Sequence, residues 1–144
     1  MSVPYGLRNV PDTEGNAKLE CIDRAEFLFL HSVKCTRSAK VQDSQYVFLA
    51  SAIIQLSLEI CLNLYEANGV PYHPGHITEG QYSERMKLIH SAIRKTKTLE
   101  GCITLGKISF KWRDRKHKYW VGLIIGLRES IQKWSKWCYD VYKG

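Results

Sequence analysis

Between Trp120 and Val141 the residues Trp120, Leu123 or Ile124, Leu127, Ile131, Trp134, Cys138 and Val141 return at steps of three and four. This near-heptad spacing lines up one side of a helix and favours close antiparallel packing against neighbours. The same test along the rest of the chain predicts three more helices. The first covers residues 18–38, where Leu19, Ile22, Glu26, Phe29 and Val33 mark a face that Ala25 and Leu28 widen. The second covers residues 45–67 after a polar turn, 39–44, in which Asp43 or Ser44 is the expected cap. It is marked by Leu49, Ile53, Leu56, Ile60 and Asn63, while Val47, Ala50, Ile54, Cys61 and Leu64 leave little of its surface polar. A helix so apolar all round is expected to be covered on more than one side, by its own bundle and by a second subunit. Asn68-Gly69-Val70-Pro71 stops it, with residues tolerant of a left-handed cap and then a proline. The third helix, 83–107, turns Met86, Ile89, Ile93, Thr96, Leu99, Cys102 and Ile103 inward and Arg85, Lys87, Arg94, Lys95 and Lys97 outward. A fourth, 117–141, carries the near-heptad stripe. No strand pattern or internal repeat accompanies these segments, so the predicted fold is all-α, an antiparallel up-down-up-down four-helix bundle.

At 144 residues and 44% hydrophobic the chain supplies one core, placed at 18–144. Residues 1–17, with Pro4, Gly6, Pro11 and Gly15, are expected to form a flexible arm that orders against a partner. The opening residues lack a signal-peptide pattern, and the most apolar run, 47–64, is broken by Gln55, Ser57 and Glu59. A cytoplasmic protein with no membrane partner is expected. The cysteines Cys21, Cys35, Cys61, Cys102 and Cys138 are far apart, without a Cys-x-x-Cys pair, and are read as reduced, most of them packing as small hydrophobes.

Charge is divided unevenly. Residues 1–84 hold six Lys and Arg against ten Asp and Glu, a net −4, whereas residues 85–144 hold fifteen against four, a net +11. Cations gather on the outer face of the third helix and in the connector Lys111-Trp112-Arg113-Asp114-Arg115-Lys116-His117-Lys118. Such a half calls for a polyanion, since each cation that neutralises a phosphate releases condensed counterions. The expected nucleic-acid-binding residues are Arg85, Lys87, Arg94, Lys95, Lys97, Lys111, Trp112, Arg113, Arg115, Lys116 and Lys118. Trp112 is included because aromatics among cations stack on bases, and Trp137 is also left free to be a surface or interface anchor. Trp120 and Trp134 fall on the apolar stripe and are assigned to the core.

Catalytic patterns are scarce: no phosphate-cradling glycine loop, nucleophile elbow or paired carboxylates on one helical face occurs. Arg24 with His31 and Arg85 with His90 resemble the arginine-to-histidine spacing of helical ribonucleases of the HEPN class, but such pairs arise by chance in helical proteins. His90 borders the core, where a structural role is the commoner one. His73 and His76 have the spacing of two metal ligands without a third nearby. No catalytic residue, metal or cofactor is expected.

Three segments carry a family resemblance. Met1-Ser2-Val3-Pro4 followed by Lys18-Leu19-Glu20, the run Ile60-Cys61-Leu62-Asn63-Leu64-Tyr65-Glu66-Ala67-Asn68, and Lys118-Tyr119-Trp120-Val121-Gly122-Leu123 continuing through Arg128, Ile131 and Trp134 resemble a family of four-helix-bundle proteins. That family comprises the accessory variability determinants of diversity-generating retroelements and the proteins encoded by intervening sequences in bacterial 23S ribosomal RNA genes. The spacer from Pro4 to Lys18 is longer than the family's, and the loop 71–81 does not align with it. The resemblance implies a basic homo-oligomer, with a pentamer expected, that partners a reverse transcriptase and its template RNA or complementary DNA during mutagenic homing, the polymerase chemistry belonging to the partner. A HEPN-like ribonuclease and an RNA- or ribosome-associated bundle without a retroelement stand as alternatives.

Overall fold

A computed structural model describes residues 14–144, and the described residues fold into helices joined by short connections. The helices are α1 (Glu14–Thr36), α2 (Ala39–Gln42), α3 (Val47–Gly69), α4 (Glu79–Phe110) and α5 (Asp114–Lys143). Among the described residues there is no strand. α1 packs on α3 and α5, α4 packs on α3 and α5, and α2 rests on α3. Residues 1–13, most of the expected arm and the Met1–Pro4 part of the resemblance, lie outside the described residues. Residues 14–17 of that arm belong to α1.

The core is a single cluster centred on Leu28, Ile53, Ile60, Leu64, Ile89, Leu99, Ile103, Trp120, Ile124, Leu127 and Trp134, each fully buried. Along α5 the buried residues Trp120, Ile124, Leu127, Ile131, Trp134 and Cys138 are those of the expected stripe. The α1 face is shifted from the expected one toward its Ala25 and Leu28 edge, with Ile22 and Phe29 partly buried against the core and Leu19 and Glu26 exposed. Cys21, Ala25, Leu28 and Ser32 are buried, while Leu19, Phe27 and Leu30 are half or more exposed. Ser32 sits inward because its hydroxyl accepts from Trp120 Nε1 at 3.2 Å, and this polar link holds inward a position that apolar counting passed over.

Helix ends differ from expectation for local reasons. The polar stretch after α1 holds a turn of helix, α2, which buries Val41, and Gln42 Nε2 donates to the Thr36 carbonyl at 2.6 Å to close the end of α1. α3 begins after Tyr46 with no side-chain cap, and Ser44 accepts instead from the Tyr46 amide at 3.0 Å. The helix runs through Gly69 without a left-handed residue, so Pro71 and the extended Val70 end it. α4 starts four residues before Ser83, at a capping box in which Thr78 and Gln81 exchange side-chain-to-backbone hydrogen bonds of 3.0 and 3.1 Å. It ends at Lys111, whose left-handed φ of 56° turns the chain sharply toward α5.

α3 has the length and apolarity of a membrane-crossing helix. Its packing accounts for part of that composition: Leu49, Ile53, Ile60, Leu64 and Ala67 are buried, together with the polar Ser57 and Asn63, while Phe48 and Leu62 stay exposed. A helix covered on two sides by α1 and α4 meets the same compositional test as a membrane span.

A cationic cup at one end of the bundle

Three residues, Lys111, Trp112 and Arg113, lie between α4 and α5, so the expected eight-residue connector is mostly helix. Arg115, Lys116 and Lys118 stand on the first turns of α5. Asp114, the acid of this stretch, is paired with Lys107 at 2.5 Å, and that ammonium holds its carboxyl below the usual carboxylate range. Lys111, Arg113 and Arg115 are exposed and make no ion pair with a described residue. With Lys116, Trp112, Tyr119 and, from α2 and the residue before it, Lys40 and Ser38, they line a concavity of about 580 Å³. Five cationic side chains thus surround one cup, in the size range of small-ligand sites.

Trp112 is the floor of this cup and not an exposed stacking platform. It is 7% exposed, packed on Phe110 and Trp120 with ring centroids 5.1 and 5.0 Å away. Lys116 Nζ lies 4.8 Å from its ring centroid and 3.5 Å from the Cys35 carbonyl, which fixes the lysine over the indole. The aromatic surface offered to solvent is Tyr119, 52% exposed and edge-on to His31 at 5.2 Å. Burial, followed by Lys34 and Lys116, pushes the His31 pKa down, so this imidazole adds little positive charge at neutral pH. Its Nε2 is 3.3 Å from Cys35 Sγ, and Arg24 pairs with Glu20 at 3.5 Å.

Of the other expected binding residues, Arg85 does not point outward, contrary to expectation. It is 1% exposed, its Nε donates to the Ala67 carbonyl at 3.0 Å, and its guanidinium carbon lies 4.3 and 5.0 Å from the Tyr72 and Trp134 ring centroids. Ala67 lies near the end of α3, where its carbonyl accepts from the Val70 amide at 3.2 Å and keeps a second lone pair for the guanidinium. Four residues before Ile89 and seven before Ala92, Arg85 stands on the buried stripe of α4, a position legible in the sequence. His90 is exposed, contrary to the expectation that it borders the core. The two members of that arginine–histidine pair therefore face different surroundings.

Lys95 is half-buried against α3, donating to Asn63 Oδ1 at 3.0 Å and pairing with Glu59 at 3.5 Å. It is not the outward cation the spacing predicts, because α3 presents polar partners beside it. Arg94 and Lys97 are exposed along α4, and Lys118 is exposed on α5 outside the cup. Lys87 lies toward the other end, roughly 36 Å from Lys111 at 1.5 Å per helical residue. There it borders a second cavity with Tyr82, His90, Tyr142 and Lys143. Sequence reasoning missed Lys40, Ser38 and Tyr119. Lys40 stands some seventy residues from the connector, and its only local signal was a polar turn.

Three cysteines are buried and two half-buried, all with free thiols. Burial, with Glu20 and Cys138 adding to it, pushes Cys21 up to about 12, and burial with Glu26 pushes Cys61 up to about 11. These thiols stay protonated at neutral pH and are poor nucleophiles. His73 and His76 are exposed, linked through the His76 amide and His73 carbonyl at 2.8 Å. Among the described residues no three His, Cys, Asp or Glu side chains converge on a metal position.

Together these features define an all-helical protein with a cationic concavity where α2, α4 and α5 meet. Comparison with protein-family models, with curated proteins and with solved structures returns no match.

Proposed function

We propose that this chain is a non-catalytic nucleic-acid-binding protein, an antiparallel up-down-up-down four-helix bundle that holds phosphates with its cationic end and the exposed cations of α4. The observation that carries this reading is the gathering of Lys40, Lys111, Arg113 and Arg115 around one cup whose neighbouring acid is already paired, with Lys116 in its inner wall. Cations clustered this way repel one another, and a polyanion relieves the repulsion while releasing counterions. The bundle topology is supported by pairings that rise along one helix as they fall along the next: Arg85 with Ala67 and Lys95 with Asn63, then Lys107 with Asp114 and Arg128 with Glu100.

The partner reading rests on the resemblance alone: a cytoplasmic accessory protein of a reverse transcriptase and its template RNA or complementary DNA, assembled as a homo-oligomer, with a pentamer as the specific expectation. Exposed Phe48, Leu62, Leu105 and Ile108 supply apolar surface for such an assembly. Titration with RNA and DNA of unrelated sequence at several salt concentrations tests the binding reading. Comparable affinities with a steep salt dependence are expected, and a flat salt dependence overturns it. Co-purification with a reverse transcriptase encoded beside it tests the partnership, and failure to associate with RNA present overturns that part.

A further inference from the structure

The cup differs from the cationic flank of α4 in being concave and aromatic-lined. A duplex meets a protein as a broad convex rod with its base faces stacked away, so its phosphates reach a cationic rim but its bases do not reach a floor. A single strand can turn a base out of the backbone line and lay it on a ring. Here the rim is cationic on several sides, from Lys40 on α2, Lys111 and Arg113 in the turn, and Arg115 on α5, while Tyr119 leaves half of its surface in solvent beside them. Trp112 is held beneath by Phe110, Trp120 and Lys116, which makes the floor rigid. Phosphate-binding charge and an open aromatic ring therefore share one cavity of about 580 Å³.

We infer that the cup seats an unpaired nucleotide of a single strand, its phosphate on the cationic rim and its base on the Tyr119 ring, so that the protein selects single strands over duplex. This rests on the nucleic-acid reading above and adds to it the class of strand and the residue that recognises it. Lys116, fixed over Trp112, closes the inner wall and does not reach outward as a rim lysine would. Selection is by shape and stacking, so it carries no base sequence.

The test compares three fluorescently labelled probes of equal length on the intact chain: an oligothymidylate, a duplex, and a strand of abasic deoxyribose phosphates. The expected result is binding of the oligothymidylate about tenfold or more tighter than either of the others, the size of a base–aromatic stack. Tyr119→Ala should bring the oligothymidylate down to the abasic strand and leave the duplex unchanged, whereas Tyr119→Trp should retain the preference. Arg113→Ala with Arg115→Ala should weaken all three probes. Native tryptophan emission should change with the oligothymidylate, and less so in a Trp112→Phe variant. Equal binding of all three probes, or an equal loss on all of them in Tyr119→Ala, overturns the single-strand assignment while leaving phosphate binding in place. Binding of none overturns both.

Discussion

Trp112 packs on the bare backbone of Gly106: a Cβ built on that glycine would lie 2.5 Å from Cζ3 of the indole and 2.9 Å from Cη2. The floor of the cup therefore exists in its present position because α4 carries no side chain there. Gly106→Ala should be destabilising by about 1 to 3 kcal/mol, since the overpacked ring cannot swing aside, even though alanine is the better helix former. Gly101→Ala and Gly122→Ala, where a Cβ meets nothing within 4 Å, should raise stability by up to about 1 kcal/mol. Urea denaturation of the three variants checks the contrast, and equal effects would remove Gly106 from its packing role.

Arg85 should matter to folding and not to binding. Replacing it with alanine removes the guanidinium's hydrogen bond to the Ala67 carbonyl, which keeps only the Val70 amide as donor, and leaves a space between Tyr72 and Trp134, a loss of about 2 to 4 kcal/mol. Lysine should not restore it, because a single ammonium cannot donate to the carbonyl and lie flat between two rings at once. Nucleic-acid affinity measured on the folded fraction should stay within about twofold of wild type, since the expected effect on the cationic surface is well under 0.5 kcal/mol.

The exposed cations should behave in the opposite way. Alanine at Arg113 or Arg115 should flatten the slope of log affinity against log salt by roughly 0.7 to 0.9 for each phosphate that is no longer neutralised, with little change in thermal stability. Lys95→Ala should alter the slope less than Arg94→Ala, since Glu59 already neutralises Lys95 and Arg94 is exposed. Equal slopes for the four variants would mean that net charge, and not position, governs binding.

Alkaline pH should loosen the fold through its thiols. The folded-state pKa of Cys21 is raised to about 12 and that of Cys61 to about 11, above the ordinary value of 9.0. A raised folded pKa means that the unfolded chain releases its proton first. The stabilisation is therefore complete below pH 9 and is lost as pH rises through 11 to 12. The denaturation midpoint should fall across that window, and fall less steeply in Cys21→Ala. Thiol-modifying reagents should react slowly with both residues in the native protein and fast in urea.

If the exposed apolar side chains of α3 and α4 meet a second copy, Leu105→Lys with Ile108→Lys should dissociate the assembly. The substitutions place charge at residues already 56% and 70% exposed, respectively, so the fold of the single chain should persist. Sedimentation velocity checks this, and a wild-type monomer at every concentration would overturn the oligomer.

The presence of the four long helices was legible because the period of apolar residues is a local property, strongest along α5, where Trp120 through Cys138 are buried as their spacing requires. Their ends were less legible. The capping box at Thr78 and Gln81 has a side-chain pattern that can be read, whereas the start of α3 at Tyr46 has no side-chain cap to read. The concentration of positive charge after residue 84 needed only counting.

What tertiary structure alone decided is where each cation goes. Spacing tells which side of a helix is apolar, but long cationic side chains reach several ångströms, and their course depends on what the neighbouring helix presents. A carbonyl near the end of α3 and two aromatic rings drew Arg85 into the core, and Asn63 with Glu59 drew Lys95 across to α3. The left-handed turn at Lys111 brought Arg113 and Arg115 beside Lys40, more than seventy residues earlier in the chain. Local periodicity holds no information about such distant neighbours, so the sequence by itself determined the helices and their charge, and only their packing decided which charges form a site.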